Sequence, residues 1–230
     1  MSKVTDFKKN PESFLKKHNV RMAEFALKEC FDVKTAGTTH KYTHTAWVDI
    51  EIHSGGLHGT DDLSIVKSTV DTGVRALPWR ESEMTYMKLD ANARWFFTGP
   101  IEGCYIYVAR GTGGSNHAET YIFHVNANAV NGAGNMQAKD NMVIAAMRAK
   151  GLVPINRLTY DDYHPGDPTC SGQGFVYGWR EVSHWNFRVH SLSVMVAPVV
   201  TKMGYHTFEV KSIKKYLPSA PLPSGIAMDV

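Results

Sequence analysis

Apolar side chains occupy every second position from Ala46 to Ile52, and polar or aromatic residues fill the positions between them as far as His53. A period of two predicts a β-strand with one buried face. Other segments rich in β-branched and aromatic residues predict further strands over residues 63–77, 94–98, 104–110, 121–126, 174–179, 186–196 and 205–210. Strands therefore dominate the predicted secondary structure.

Two segments have the apolar spacing of helices. Pro11 can open a helix whose apolar face continues to Met22 and Cys30. A second apolar pattern covers residues 136–150, and Gly151 follows it as a helix stop. Because strands outnumber helices, we expect an α/β composition of the α+β type, a central β-sandwich of mixed sheets with flanking helices and long loops.

The domain organisation is predicted to be simple. A chain of 230 residues is long enough for one domain with a substantial core. We expect a single catalytic domain over residues 13–216, a polar N-terminal lead-in over residues 1–12, and a Pro-rich C-terminal tail over residues 217–230.

Composition and charge narrow the classes of function. The net charge of +3 and the absence of a long Lys/Arg run indicate no nucleic-acid partner, and the apolar stretches are too short to indicate a membrane partner. No signal peptide is recognisable at the N-terminus. The three cysteines, Cys30, Cys104 and Cys170, are too few and odd in number for a disulfide framework, which favours reduced thiols in a cytosol.

Cys104 has the most favourable position for a nucleophile. It follows Gly103 in a turn and precedes a predicted strand. Backbone N–H groups at such a turn can stabilise an oxyanion, and glycine allows a substrate to approach the backbone closely. A thiol needs a base to become a thiolate near neutral pH, and histidine is the usual one.

Two histidines are candidates for that base. If residues 104–110 and 121–126 pair as a hairpin, the returning strand brings His124 and Asn126 near Cys104. Alternation places His124 and Asn126 on one face of that strand, so His124 can face Cys104. His117 lies in the connecting loop and is the rival base.

Metal sites are not indicated. His40 and His44 have the spacing of zinc ligands on a helix, but they lie beside a predicted strand and lack the accompanying Glu. Residues 161–168 lack the ligand spacing of a calcium loop. We therefore expect no metal and no organic cofactor.

Four ordered blocks in the middle of the chain resemble a toxin family. Leu77-Pro78-Trp79, Phe96-Phe97-Thr98, Gly103-Cys104 and Phe123-His124-Val125-Asn126 occur in the order found in the Burkholderia lethal factor 1 group of glutamine deamidases, relatives of the catalytic domain of cytotoxic necrotizing factors. The family signature Leu-Ser-Gly-Cys reads Ile101-Glu102-Gly103-Cys104 here, so Glu replaces Ser. The resemblance covers residues 77–126 well.

The resemblance implies a role for each matching residue. Cys104 would be the nucleophile, His124 its general base, and Thr98 the third member, orienting the histidine ring through its main-chain carbonyl. Gly103, Asn126 and His117 are further candidates for the substrate cleft. Two departures affect this transfer of roles: the loop between Cys104 and His124 is longer than in the toxin, and a carboxylate at Glu102 would oppose thiolate formation if it lay near the sulfur.

The resemblance also implies a function. The chain would be a monomeric bacterial effector, made without a recognisable signal peptide, that acts as a toxin and virulence factor in the host cytosol. It would convert a glutamine of a host protein to glutamate, either in the translation initiation helicase, which would block protein synthesis, or in a small GTPase. Two alternatives stay open: a cysteine protease or transglutaminase, and a non-enzymatic β-sandwich binding module with a structural Cys104.

Overall fold

The computed structural model describes residues 2–18, 20–22, 31–36, 39–44, 47–55, 61–78, 84–111, 119–126, 136–163, 170–182, 184–195, 205–212 and 214–215. The helices in these ranges are α1 (Lys3–Lys9), α2 (Pro11–Lys17), α3 (Met136–Arg148) and α4 (Tyr160–Tyr163). The strands are β1 (Val20–Met22), β2 (Phe31–Ala36), β3 (Thr39–His44), β4 (Trp47–His53), β5 (Asp61–Ser68), β6 (Val74–Leu77), β7 (Met84–Leu89), β8 (Trp95–Thr98), β9 (Tyr105–Gly111), β10 (Thr120–Val125), β11 (Leu152–Leu158), β12 (Cys170–Glu181), β13 (His184–Met195), β14 (Tyr205–Ser212) and β15 (Lys214–Lys215).

The strands form two mixed sheets. One has eight strands in the order β1-β5-β4-β6-β8-β12-β13-β14, and the other has seven in the order β15-β11-β9-β10-β7-β3-β2. Parallel pairs occur in both: β1 with β5 and β6 with β8 in the first, β3 with β7 in the second. The predicted sheet-rich α+β fold is confirmed.

One hydrophobic core includes residues from both sheets. Ile106 and Ile122 of the seven-stranded sheet and Phe96 and Val176 of the eight-stranded sheet belong to it, each with no exposed surface. The opposite face of the seven-stranded sheet has its own core, in which strand residues such as Phe123 pack with residues of α3. The β9–β10 hairpin is therefore covered on both faces.

The helices α1 and α2 pack on the eight-stranded sheet. Phe7 of α1 is fully buried, with its ring centroid 5.7–6.0 Å from those of Trp95, Phe97 and Tyr177. Residues 1–12 are thus more than a polar lead-in, because α1 contributes to the core. The predicted Pro-rich tail over residues 217–230 lies outside the described residues.

Tertiary pairing overrides the helix predicted from Pro11 to Cys30. The α2 helix ends at Lys17, and β1 follows, pairing in parallel with residues 61–63 of β5. Arg21 makes two hydrogen bonds to the carboxylate of Asp62 across this pair, at 2.5 and 3.0 Å. The prediction of Met22 on a helix is wrong, and Cys30 lies outside the described residues.

The remaining differences concern the number and the boundaries of the strands. The strand predicted over residues 63–77 is two strands, β5 and β6, separated by a turn in which Gly73 has a positive φ of 75°. Strands β2, β3, β7, β11 and β15 were not predicted from the sequence, and two of them, β7 and β11, flank the hairpin. Among the described helices, none is long and apolar enough to cross a membrane.

Candidate active site

The Cys104 thiol lies at the end of a connection between the two sheets. After β8 in the first sheet, the chain runs through residues 99–104 to β9 in the second. Ile101 and Gly174 of β12 exchange two backbone hydrogen bonds, of 2.8 and 3.1 Å, which fix the middle of this connection. Gly103 then adopts φ 72°, a left-handed conformation that favours glycine, and the predicted turn before the strand is confirmed.

His124 lies on the strand next to Cys104 and on the same face. In the antiparallel ladder His124 is opposite Ile106, and continuing the register by one residue beyond Val125 and Tyr105 places Asn126 opposite Cys104. Cys104 and His124 are therefore diagonal neighbours, close enough for an imidazole ring to reach across. The predicted hairpin is confirmed, and the shared face of His124 and Asn126 stays a prediction because the ladder ends at Val125.

Both candidate catalytic side chains are buried. Cys104 is 3% exposed and His124 is 1% exposed. Burial lowers the pKa of His124 to about 3, so its imidazole is neutral at pH 7. A neutral imidazole has one acceptor nitrogen that can take a proton, but an efficient general base has a pKa near the working pH, so His124 needs a change of its surroundings to act as one.

Both ring nitrogens of His124 are buried. Within the described part of the chain, neither nitrogen has a hydrogen-bond partner. The Cys104 sulfur instead lies 3.7 Å from the main-chain oxygen of Glu102. The structure therefore brings Cys104 and His124 to one face without a hydrogen bond between them.

Thr98 is buried at the end of β8, opposite Leu77 of β6. Its hydroxyl oxygen accepts a hydrogen bond of 2.9 Å from the backbone N–H of Val176. Since neither nitrogen of His124 has a partner among the described residues, the ring does not donate to the main-chain carbonyl of Thr98 as the resemblance implied.

Thr85 connects the surroundings of His124 with those of Thr98. It lies directly opposite His124 on β7 and is fully buried. Its hydroxyl donates to the main-chain carbonyl oxygen of Pro78 at 3.0 Å. Pro78 directly follows Leu77, the residue that pairs with Thr98. This contact joins the strand beside His124 to the residue that follows the partner of Thr98, and no local pattern in the sequence indicated it.

The carboxylate of Glu102 points away from the Cys104 thiol. Its side chain is exposed, and its carboxylate accepts a hydrogen bond of 3.3 Å from the amide of Gln173. The carboxylate therefore lies toward solvent and does not oppose thiolate formation at Cys104.

Tyr163 is a neighbour of Cys104 that the sequence analysis missed. Its hydroxyl donates a hydrogen bond of 3.1 Å to the main-chain oxygen of Cys104, and the residue is 2% exposed. The two residues are 59 positions apart, so no spacing rule could relate them.

Two candidates for the cleft have different outcomes. Asn126 is half-buried, and its place on the face of His124 stays a prediction. His117 lies outside the described residues. Among the described residues, no group of three His, Cys, Asp or Glu side chains is arranged to hold a metal ion.

Comparison of the chain with models of protein families gives no match, and comparison with curated proteins gives none. The resemblance to the glutamine deamidase toxins therefore rests on the four sequence blocks.

Proposed function

We propose that this protein is a cysteine-dependent hydrolase that deamidates a glutamine side chain of another protein. The observation that carries the proposal is the position of His124: it is fully buried, has two unsatisfied ring nitrogens within the described structure, and shares a sheet face with the Cys104 thiol. An unpaired buried imidazole costs stability, about 1–3 kcal/mol for each unsatisfied polar group, and such costs are typical of functional positions.

The chemistry needs only the chain and water. The neutral His124 accepts the proton of the Cys104 thiol while the sulfur attacks the carboxamide carbon and forms a C–S bond. The tetrahedral intermediate collapses, the C–N bond breaks, and protonated His124 returns its proton to the leaving ammonia. A water molecule activated by His124 then hydrolyses the thioester, which releases glutamate and restores the thiol.

The oxyanion has a limited set of backbone donors. The N–H groups of Gly99 and Ile101 already donate to the carbonyls of Leu77 and Gly174. An oxyanion beside Cys104 therefore needs a donor other than the N–H groups of Gly99 and Ile101.

Substrate entry requires movement. Since Cys104 is 3% exposed, a glutamine side chain reaches the sulfur only after the surface above it opens. We expect binding of the substrate to drive this opening, because surface loops of many enzymes rearrange when a substrate binds. Burial lowers the pKa of His124 and so keeps its imidazole uncharged until the site opens.

The choice of substrate follows from the resemblance. We propose a host protein, either the translation initiation helicase or a small GTPase, as the target. Conversion of glutamine to glutamate changes the volume of the side chain little and adds one negative charge, which can disrupt a macromolecular interface.

The test is peptide mass mapping of both candidate targets, and of a host-cell lysate, after incubation with wild type, Cys104→Ser or His124→Gln. We expect the mass gain of an amide-to-acid conversion at one glutamine, lowered at least about a thousandfold in Cys104→Ser. Cys170→Ser and His190→Gln are the matched controls, because His190 is also a buried histidine with a pKa lowered by burial, to about 4. Both controls should retain activity.

The same experiment separates the alternatives. Added primary amine would be incorporated by a transglutaminase, and a cysteine protease would cleave a peptide bond instead. A wild-type protein that changes no glutamine in any of these samples contradicts the proposal and favours a binding module.

A further inference from the structure

The main-chain oxygen of Cys104 lies beyond the ladder between β9 and β11. The last pair of this ladder joins Leu158 to Ile106, two residues after Cys104. The chain leaves β11 at Leu158 and turns into α4 instead of continuing alongside Cys104. A side chain of α4 takes the place of the missing strand.

That side chain is the phenol of Tyr163, and hydrogen bonds between Thr159 and Asp162 stabilise the start of its helix. The hydroxyl and backbone N–H of Thr159 both bond one carboxylate oxygen of Asp162, at 2.9 and 2.8 Å. The ring of Tyr163 packs edge-on against Tyr160, with centroids 5.5 Å apart. Its hydroxyl donates to the Cys104 oxygen at 3.1 Å. Burial raises the pKa of Tyr163, so the phenol remains a donor across the physiological range.

We propose that Tyr163 is a positioning residue for the nucleophile. Gly103 precedes Cys104 in a left-handed conformation that glycine can leave easily, so the backbone on that side is permissive. The hydrogen bond from Tyr163 fixes the other side of Cys104 and holds its sulfur on the sheet face of His124. The role in catalysis rests on the proposed deamidation, whereas the hydrogen bond itself can be tested without it.

The variant that tests this role is Tyr163→Phe, which removes the hydroxyl and keeps the ring. Tyr177→Phe is the matched control: Tyr177 is also fully buried, and its hydroxyl has no hydrogen-bond partner in the described structure. The intact protein is labelled with cysteine carrying carbon-13 at the carbonyl, which gives three signals, one for each cysteine. The Cys104 signal is assigned by its loss in Cys104→Ser.

We expect Tyr163→Phe to shift the Cys104 carbonyl upfield and to leave the signals of Cys30 and Cys170 in place. We expect kcat for deamidation to fall about tenfold, the factor that corresponds to one lost hydrogen bond, with KM changed less than about twofold. Tyr177→Phe should leave the Cys104 carbonyl and kcat unchanged. Should Tyr163→Phe fold poorly, Asp162→Ala loosens α4 without altering Tyr163 and should shift the same signal by a smaller amount.

Two results would overturn the proposal. An unmoved Cys104 carbonyl in Tyr163→Phe excludes the hydrogen bond, and a shifted carbonyl with unchanged kcat excludes the positioning role. If the wild type deamidates nothing, the proposed function fails, and the positioning claim is then judged by alkylation of Cys104 with iodoacetamide. Release of the backbone should accelerate alkylation in Tyr163→Phe and not in Tyr177→Phe, and equal rates in the two variants would refute it.

Discussion

The two faces of the β9–β10 hairpin bury polar groups in opposite ways. On the face toward α3, the hydroxyl of Tyr107 donates to one carboxylate oxygen of Asp140, and Arg157 donates to the other. On the face toward the other sheet, His124 is just as deeply buried, and neither of its ring nitrogens has a partner in the described structure.

The difference separates a structural site from a candidate functional one. Tyr107, Asp140 and Arg157 form a connected set that ties α3 to β9 and β11, and a satisfied buried network of this kind rigidifies the fold. Within the described residues His124 makes no such bond, and a buried imidazole without one costs stability, as expected for nitrogens that serve a reaction. Three predictions test this contrast.

The largest change in stability is expected on the face of the hairpin toward α3, where the polar groups are hydrogen-bonded. Asp140→Ala removes a carboxylate that is 4% exposed and leaves Tyr107 and the guanidinium of Arg157 without it. We expect a loss of about 3 kcal/mol in the free energy of unfolding, since the buried Tyr107 hydroxyl and the part-buried Arg157 guanidinium each lose a hydrogen bond to this carboxylate. Urea unfolding at pH 7.5 measures it.

The matched control for this variant is Asp49→Ala. Its partner is Lys8, and both side chains of the pair are part-exposed, at 35% and 27%. Partly solvated pairs are worth about 0–1 kcal/mol, so this variant should cost less than about 1 kcal/mol. Equal losses in the two variants would show that Asp140 is not part of a structural network.

The second effect is a dependence of stability on pH from His124. Burial lowers its pKa to about 3 from 6.5, so below pH 6.5 the unfolded chain binds a proton that the native chain does not bind until near pH 3. The free energy of unfolding therefore falls as the pH falls, by about 2 kcal/mol for this residue between neutral pH and pH 5. Urea unfolding from pH 8 to pH 5 follows the loss.

His124→Gln should remove this residue's share of the acid loss, leaving the share of His190, whose pKa burial also lowers, to about 4. His53→Gln is the control, because the His53 side chain is 62% exposed and should leave the pH profile unchanged. A profile in His124→Gln that matches the wild type would mean that His124 titrates normally.

The smallest effect has the opposite sign. His124→Leu replaces the two unsatisfied nitrogens with apolar groups of similar volume, so we expect the protein at pH 8 to gain about 1 kcal/mol in the free energy of unfolding. Activity should be lost at the same time, the usual cost when a functional residue is optimised for stability. Destabilisation by His124→Leu would show that the imidazole has partners and is structural.

The site was predictable where it depends on neighbouring strands. The hairpin of β9 and β10 joins segments close in the chain, and alternation within each strand sets which side chains share a face. Cys104, His124 and Asn126 could therefore be assigned to one face from the sequence. The glycine turn before Cys104 was visible for the same reason, since it is a local feature.

The errors lie where distant segments pair. Residues 20–22 have a spacing that fits the continuation of a helix, yet they form β1 because β5 offers a strand edge some 40 positions later in the chain. Strand β7, in which Thr85 lies opposite His124, was likewise not predicted from the sequence. Intrinsic propensity is weaker than tertiary pairing in such segments.

The sequence by itself determined the sheet-rich α+β class, the hairpin, and the shared face of Cys104 and His124, because each follows from short-range periodicity. Only the tertiary structure decided that the ring of His124 is buried with no hydrogen-bond partner among the described residues, that Glu102 lies toward solvent, and that Tyr163 donates to the Cys104 carbonyl. Burial and hydrogen-bond partners depend on which sheets and helices cover a position, and those covering residues come from parts of the chain that no local pattern connects.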